Sequence, residues 1–216
     1  NSKRLDFLIT NNIFNDINKH RIIRNYASKN FCNTNSFYDE DYEIWKMRQN
    51  KIVYLQGMGQ KERFPLNSVK SVLEYTELSI VIVGNIYIEL KNYIDNLSDI
   101  KKNKVFMVGR TNQENISYYM RKSILSLIFY DNLSENSLFC EPNRFFYCLR
   151  MGIPVIVGKN PTMKGIVYNN KNGISINDYG SDCTKISRAI HEILDDYLFY
   201  KANANKIKLK FIWENQ

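Results

Sequence analysis

The sequence predicts an α/β protein: a doubly wound parallel sheet, preceded by a fragment of a second domain. Three observations carry that expectation. From Lys51 onward, short apolar runs recur at Ile52–Leu55, Ile80–Val83, Val105–Val108, Leu125–Phe129, Pro154–Val157 and Ile174–Ile176. Helical spacing fills the intervals at about 66–76, 87–97, 113–122, 143–151 and 183–195, and strands that alternate with helices in this way are parallel and joined by right-handed crossovers. The runs are apolar throughout rather than alternating, which implies cover on both faces. A ligand of such a sheet belongs beyond the carboxyl ends of its strands.

Ahead of the regular part, Leu5 to Thr10 reads as a strand, Asn11 or Asn12 as the cap of a short helix through about Asn18, and Arg21 to Tyr26 as a second strand. Residues 27–50 are polar, with an acidic patch at Asp39, Glu40, Asp41 and Glu43. They read as a linker running into a helix near Ile44–Met47. A strand-helix-strand unit of this size holds no core of its own, so it is expected to pack on a neighbouring domain. The chain begins at Asn1, almost directly in an apolar run, and is expected to be the tail of something longer. The last stretch, from Asp196 to Gln216, carries Tyr197, Phe199, Tyr200, Ile207, Leu209, Phe211 and Trp213, an aromatic density expected of a packed terminal helix.

Composition narrows the class. With 44% hydrophobic and 24% charged residues, the chain belongs with soluble globular proteins and not with disordered ones. No run reaches the ~20 apolar residues that a membrane helix needs, and no signal peptide is visible. The net charge of +8 is spread along the chain without a basic arm, and no nucleic-acid motif accompanies it, so no nucleic-acid partner is expected. Lys201, Lys206, Lys208 and Lys210 form a cluster free of acids; it reads as a solvated helix face or as a contact for an anionic membrane surface. Cys32, Cys140, Cys148 and Cys183 lack the spacing of a zinc site and fit reduced thiols in a cytosol.

The densest signal lies between Leu125 and Val157. Two apolar runs flank a polar loop and about ten residues that read as one helix. Pro142 suits the first helical position, whose missing amide would be unpaired anyway. Phe145, Phe146 and Leu149 recur at helical spacing, and Gly152 is placed to end the helix in a left-handed turn. The helix N-terminus then faces the carboxyl end of the sheet, where free amides and the helix dipole favour an anion such as a phosphate. Glycines close three strands, at Gly57 and Gly59, Gly84, and Gly109, where a backbone can approach a ligand or take positive φ. Gly57-Met58-Gly59 is not a dinucleotide fingerprint, because no third glycine and no helix follow. Lys61 and Arg63 come next and read as cations for a diphosphate or as ordinary surface charges; Arg110, after Gly109, reads as stacking on a base, pairing with phosphate or simply solvated. Glu141 reads equally as a helix-end stabiliser and as an acceptor for sugar hydroxyls. Asn143 and Arg144 flank the same helix end. No Ser-His-Asp or Cys-His arrangement is present, so the catalytic residues stay unassigned.

Glu141-Pro142-Asn143-Arg144-Phe145-Phe146, then Leu149, then Gly152-Ile153-Pro154-Val155-Ile156, resembles the donor-binding signature of GT-B glycosyltransferases, in particular retaining ones of the family 4 type. Val53 to Gly57 with Arg63 resembles the first strand and the glycine/basic loop of that family's C-terminal domain. Ile80–Gly84 and Val105–Gly109 resemble its next strands, and Phe211-Ile212-Trp213-Glu214 its terminal crossover helix. The resemblance implies a Rossmann-like half of a GT-B fold. Residues 1–45 would be the tail of an N-terminal acceptor domain and linker, 46–195 the C-terminal nucleotide-sugar-binding domain, and 196–216 the terminal crossover helix. It implies a nucleoside diphosphate sugar held by Gly57, Gly59, Arg63 and the Pro142 helix, with no metal and no further cofactor. The family's two glutamates would stand at 147 and 139, where this chain has Tyr147 and Phe139.

The function implied is transfer of a sugar to a polysaccharide or lipid-linked acceptor in bacterial surface polysaccharide assembly. The protein would be cytoplasmic or peripheral on the inner face of the membrane, with acceptor binding on the missing N-terminal domain. A sugar-nucleotide epimerase of the same architecture and a degenerate sugar-nucleotide-binding subunit are the alternatives.

Overall fold

The computed structural model describes residues 6, 9, 10, 23–33 and 37–216. Its centre is a six-stranded sheet in the order β3-β2-β1-β4-β5-β6, with every neighbouring pair parallel. The strands are β1 (Ile52–Gln56), β2 (Ser79–Val83), β3 (Val105–Gly109), β4 (Ser123–Ile128), β5 (Val155–Val157) and β6 (Gly173–Ser175). Each lies on or beside the apolar run that predicts it. The strand order reverses between β1 and β4, which opens a crevice at their carboxyl ends.

Side chains alternate between the two faces of each strand, and the core divides accordingly. Tyr54, Val81, Val83, Ile128, Val155 and Val157 join Phe145, Phe146 and Leu149 of the helix Asn143–Met151 on one face. Val53, Leu55, Ile80, Ile82, Leu125 and Leu127 meet the helices Pro65–Leu73, Ile88–Asp95 and Cys183–Asp195 on the other. The central strands are buried on both faces, as their unbroken apolar sequence requires. The edge strands β3 and β6 are only half-buried.

The helices Asn143–Met151 and Cys183–Asp195 have the predicted bounds. Further helices at Asp99–Lys102, Glu135–Leu138 and Pro161–Asn170 occupy segments left unassigned by periodicity. The helix expected near Ile44–Met47 runs from Glu40 to Met47, and the Asp39 carboxylate caps it by accepting the Tyr42 amide at 3.0 Å. Tyr42 is fully buried, and its hydroxyl donates to the Tyr119 carbonyl at 2.9 Å. The Tyr119 hydroxyl donates to Asp39 at 2.7 Å and that of Tyr118 to Glu43 at 2.6 Å. Two members of the acidic patch, Asp39 and Glu43, are therefore acceptors that tie the linker to the helix Ile116–Met120.

The N-terminal segment departs from expectation. Asp6, Ile9 and Thr10 are helical, not a strand, and the Thr10 hydroxyl donates to the Asp6 carbonyl one turn back, at 2.8 Å. Leu5, Leu8 and Ile9 fit helical spacing as well as alternation, and so short a run does not decide between them. The expected helix cap at Asn11 or Asn12, and the helix through Asn18, lie outside the described residues. Of the expected strand Arg21–Tyr26, the described part, 23–26, joins no ladder. The C-terminus supplies its partners instead. The Arg24 amide donates to the Gln216 side chain at 2.6 Å, and Ala27 forms a single parallel bridge with Ile212. The terminal helix spans Tyr197–Lys206 and then gives way to a turn, so Phe211 and Ile212 reach the core from an extended segment.

Candidate functional site

Beyond Gln56, β1 turns at Gly57, whose φ of +72° is costly for any residue with a Cβ. The chain then enters a short 3-10 turn, Lys61–Arg63, and the helix Pro65–Leu73. The turn is docked on the end of β4, where the Asp131 amide donates to the Glu62 carbonyl at 2.9 Å. Arg63 folds back to donate from Nη1 to the Gly57 carbonyl at 2.9 Å. A Cβ on Gly57 would strike that guanidinium and come within 3.3 Å of Arg144 Nη1.

Arg144 enters from the opposite side, at the second position of the helix Asn143–Met151. It is only 5% exposed. Its Nη1 donates to the Gln56 carbonyl and its Nη2 to the Phe129 carbonyl at 3.1 Å. Both guanidiniums lie over the Tyr130 ring, Arg144 at 4.8 Å and Arg63 at 5.5 Å from its centroid, within the range of cation–π attraction. Neither pairs with a carboxylate among the described residues, and the buried Nε of each has no hydrogen-bond partner. Burial pushes the Arg144 pKa down and the neighbouring Arg63 adds to that, while Tyr130 opposes it. Two cations thus share one aromatic ring at the switch point of a parallel sheet without a counter-charge, a site whose chemistry suits an anion.

The helix that carries Arg144 has its expected span, but Pro142 does not occupy the first helical position that its chemistry suits. Pro142, at φ −76° and ψ 148°, is extended and stands just before Asn143, the first helical residue. The segment ahead of it is held out by the Thr162 hydroxyl on the Cys140 carbonyl at 3.0 Å and by the Asn25 amide on the Glu141 carbonyl at 3.4 Å. No side chain caps the helix; the Phe145 amide donates to the Pro142 carbonyl at 2.9 Å, and the amides of Asn143 and Arg144 ahead of it have no intrahelical partner. At the other end Gly152 takes the predicted left-handed turn at φ 63°, with the Ile153 amide closing on the Cys148 carbonyl at 2.9 Å.

The sequence-predicted residues divide into three groups. Gly57, Arg63 and Arg144 come together around Tyr130. Gly59, Lys61, Asn143 and Arg110 lie exposed on the rim. A Cβ on Gly59 would sit 3.2 Å from the Asn85 carbonyl, and Arg110 Nε donates to the Asn85 side chain at 3.1 Å. Glu141 and Tyr147 turn elsewhere. The Glu141 carboxylate pairs with Arg24 at 3.1 Å with 8% of its side chain exposed; burial raises its pKa, and Arg24 works against that. Tyr147 is buried and stacks on Phe31 at 4.3 Å; burial raises its pKa, and the side chains of Asn143 and Gln113 work against that. Sequence reasoning missed Tyr130, Asn85 and Arg24. Tyr130 directly follows an apolar run and was findable as the first polar-tipped residue past a strand end; Asn85 and Arg24 have no such signal. Among the described residues no group of three His, Cys, Asp or Glu side chains is placed to hold a metal, and no helix is long and apolar enough to cross a membrane.

This fold, with its crevice at the strand reversal, is that of the Rossmann-like halves of GT-B glycosyltransferases. No protein-family model and no curated protein sequence matches the chain. Among solved structures it is similar to a glycosyltransferase from Rickettsia africae ESF-5, at TM-score 0.70 and 16% identity, over 98% of this chain and 58% of that one. It is similar to HepE from Anabaena in complex with UDP-glucose, at TM-score 0.70 and 15% identity, over 90% and 54%. A UDP-GlcNAc 2-epimerase from Neisseria meningitidis bound to UDP-GlcNAc matches at TM-score 0.54 and 17% identity, over 82% and 44%. The chain therefore spans about half the length of the structures it matches.

Proposed function

We propose that this chain is the donor-binding half of a GT-B glycosyltransferase that takes a nucleoside diphosphate sugar. The observation that carries the reading is the unpaired guanidinium pair of Arg63 and Arg144 on Tyr130, set between the Gly57 turn and an uncapped helix N-terminus. When the bond from the sugar's anomeric carbon to the diphosphate breaks, its electrons stay on the phosphate oxygen. Cations and amides already in place at that oxygen stabilise the developing charge without reorganising. In this reading Gly57 and Gly59 admit the backbone to the diphosphate, Arg63 and Lys61 face it, and Arg110 borders the base. Residues 46–195 form the donor domain, with 1–45 and 196–216 joining it to an acceptor domain. The acceptor is a polysaccharide or lipid-linked sugar, and the chemistry is of the retaining, family-4 kind. The resemblance around Glu141 to Ile156 supports those finer assignments, as it does a bacterial cytoplasmic setting at the membrane face.

The test is a thermal-shift series with UDP, GDP and ADP and their sugars. A ligand at a hundredfold excess over its dissociation constant adds about 2.7 kcal/mol of apparent stability. At least one diphosphate should raise the melting temperature; Arg63→Ala should remove most of the shift, and Lys185→Ala, on the remote helix Cys183–Asp195, should leave it. No shift from any diphosphate would overturn the proposal. The structural match to a UDP-GlcNAc 2-epimerase supports a second reading, epimerisation of the donor, which needs no acceptor and so is recognised by an altered sugar nucleotide in a reaction given donor alone.

A further inference from the structure

The two arginines of the site are not equivalent. The β1–β4 ladder ends at the pair Tyr54 and Ser126, so the carbonyls of Gln56 and Phe129 lie past the last register contact between these strands. Arg144 reaches both, with one terminal nitrogen on each. It does so from a position 5% exposed, with its guanidinium carbon 4.8 Å from the centroid of the Tyr130 ring. A guanidinium holds its donors in a fixed fork, so the separation of the two strand ends is set by the spacing of its nitrogens. Arg63 stands on an exposed turn, is half-buried, and is bonded to the Gly57 carbonyl alone.

We infer that Arg144 is a positioning residue that spans the crevice between the ends of β1 and β4 and fixes its width, while Arg63 is the cation that meets the diphosphate. The inference deepens the donor-site reading and rests on it for the ligand, but the bridging role itself does not need a nucleotide. Arg144 orients Tyr130, Tyr130 seats Arg63, and the Gly57 turn is held at the distance Arg63 requires. A lysine at 144 keeps the charge, yet a single ammonium lacks the planar fork that fits both carbonyls at once.

Three variants separate the roles: Arg144→Lys, Arg144→Gln and Arg63→Ala. In the ligand-free chain, hydrogen exchange is followed at the amides of residues 57–63 and 129–131. Arg144→Lys should speed exchange at both strand ends several-fold, and unchanged exchange would overturn the inference whether or not any nucleotide binds. Calorimetry with UDP and UMP gives the second readout. Arg144→Lys and Arg144→Gln should weaken both ligands by a common factor of about ten, the loss expected for one hydrogen bond to a charged group, and leave the UDP-to-UMP affinity ratio where it was. Arg63→Ala should collapse that ratio. A ratio that falls with the Arg144 variants would make Arg144 a direct ligand; a lower melting temperature with both affinities intact would make it packing alone. Either result overturns the inference. If both Arg144 variants fail to fold, an unchanged ratio in Arg63→Ala still overturns the division of labour. Wild-type chain that binds neither UDP nor inorganic pyrophosphate would sink the donor-site reading instead, with the exchange arm still deciding the bridge.

Discussion

Gly57 shows how one residue can be required twice. Its φ of +72° excludes an ordinary side chain, and a Cβ would also run into Arg63. Gly57→Ala should cost about 1–2 kcal/mol from the backbone alone and displace Arg63 from the crevice, so the diphosphate thermal shift should fall with it. Gly165 is the control: it lies within the helix Pro161–Asn170 with nothing within 4 Å of a built Cβ. Gly165→Ala should stabilise by about 0.5–1 kcal/mol and leave the shift alone. Urea titrations of both variants, read with constant m-values, check the pair; equal effects would refute the distinction. At this scale the sequence was informative where chemistry is local. That Gly57, Arg63 and Arg144 stand at the strand ends was legible because glycine at a strand end and arginine at a helix start each have few uses. Where Glu141 and Tyr147 point was not, because their orientation is decided by Arg24 and Phe31, more than a hundred positions away in the chain.

Among the elements, the turn after β6 has a direct bearing on the site. The Asp178 carboxylate accepts the amides of Gly180 at 2.7 Å, Ser181 at 2.6 Å and Asp182 at 3.2 Å. The turn presses Gly180, at φ +119°, against Phe129, with a built Cβ 2.6 Å from the Phe129 Cβ. Phe129 is the residue whose carbonyl Arg144 holds. Burial raises the Asp178 pKa, but the backbone and Ser181 hydrogen bonds outweigh it and hold the group below its ordinary 3.8. A depressed carboxylate contributes stability that is complete above the unfolded value and lost as pH falls through the folded one. The stability difference between wild type and Asp178→Asn should therefore be constant from neutral pH down to about 5 and shrink as pH falls further through the ordinary carboxylate range; a difference that grows on acidification would contradict the assignment. Helices with strong apolar spacing, such as Cys183–Asp195, were legible in the sequence. Pro161–Asn170 was not, since only Thr162, Met163 and Val167 are buried and Gly165 and Asn169-Asn170 interrupt the pattern. Tertiary contact forms that helix more than propensity does.

Across the whole molecule, the segments 24–29 and 211–216 clasp each other beside the site. Besides the Arg24–Gln216 and Ala27–Ile212 contacts, the Lys29 amide donates to Glu214 at 2.9 Å, and Phe211 is buried with its ring 5.6 Å from Tyr26. Arg24, on the clasped segment, reaches Glu141 at the head of the site helix. On the exposed rim stand Lys61, Arg110 and Asn143, groups that bind but do not abstract protons. The one described histidine, His191, lies on the helix Cys183–Asp195 and bonds the Tyr75 carbonyl at 3.1 Å, on an element that serves the opposite sheet face. Under the proposed reading, acceptor activation belongs to a companion domain, and that is open to a direct test. The 216-residue chain should bind a nucleoside diphosphate sugar yet leave it intact, with or without an added acceptor, when the mixture is resolved by chromatography. Supplying the companion domain should turn on acceptor-dependent release of nucleotide. Rapid transfer by the chain alone would place the missing chemistry on this half, and conversion of the donor sugar without acceptor would favour the epimerase reading.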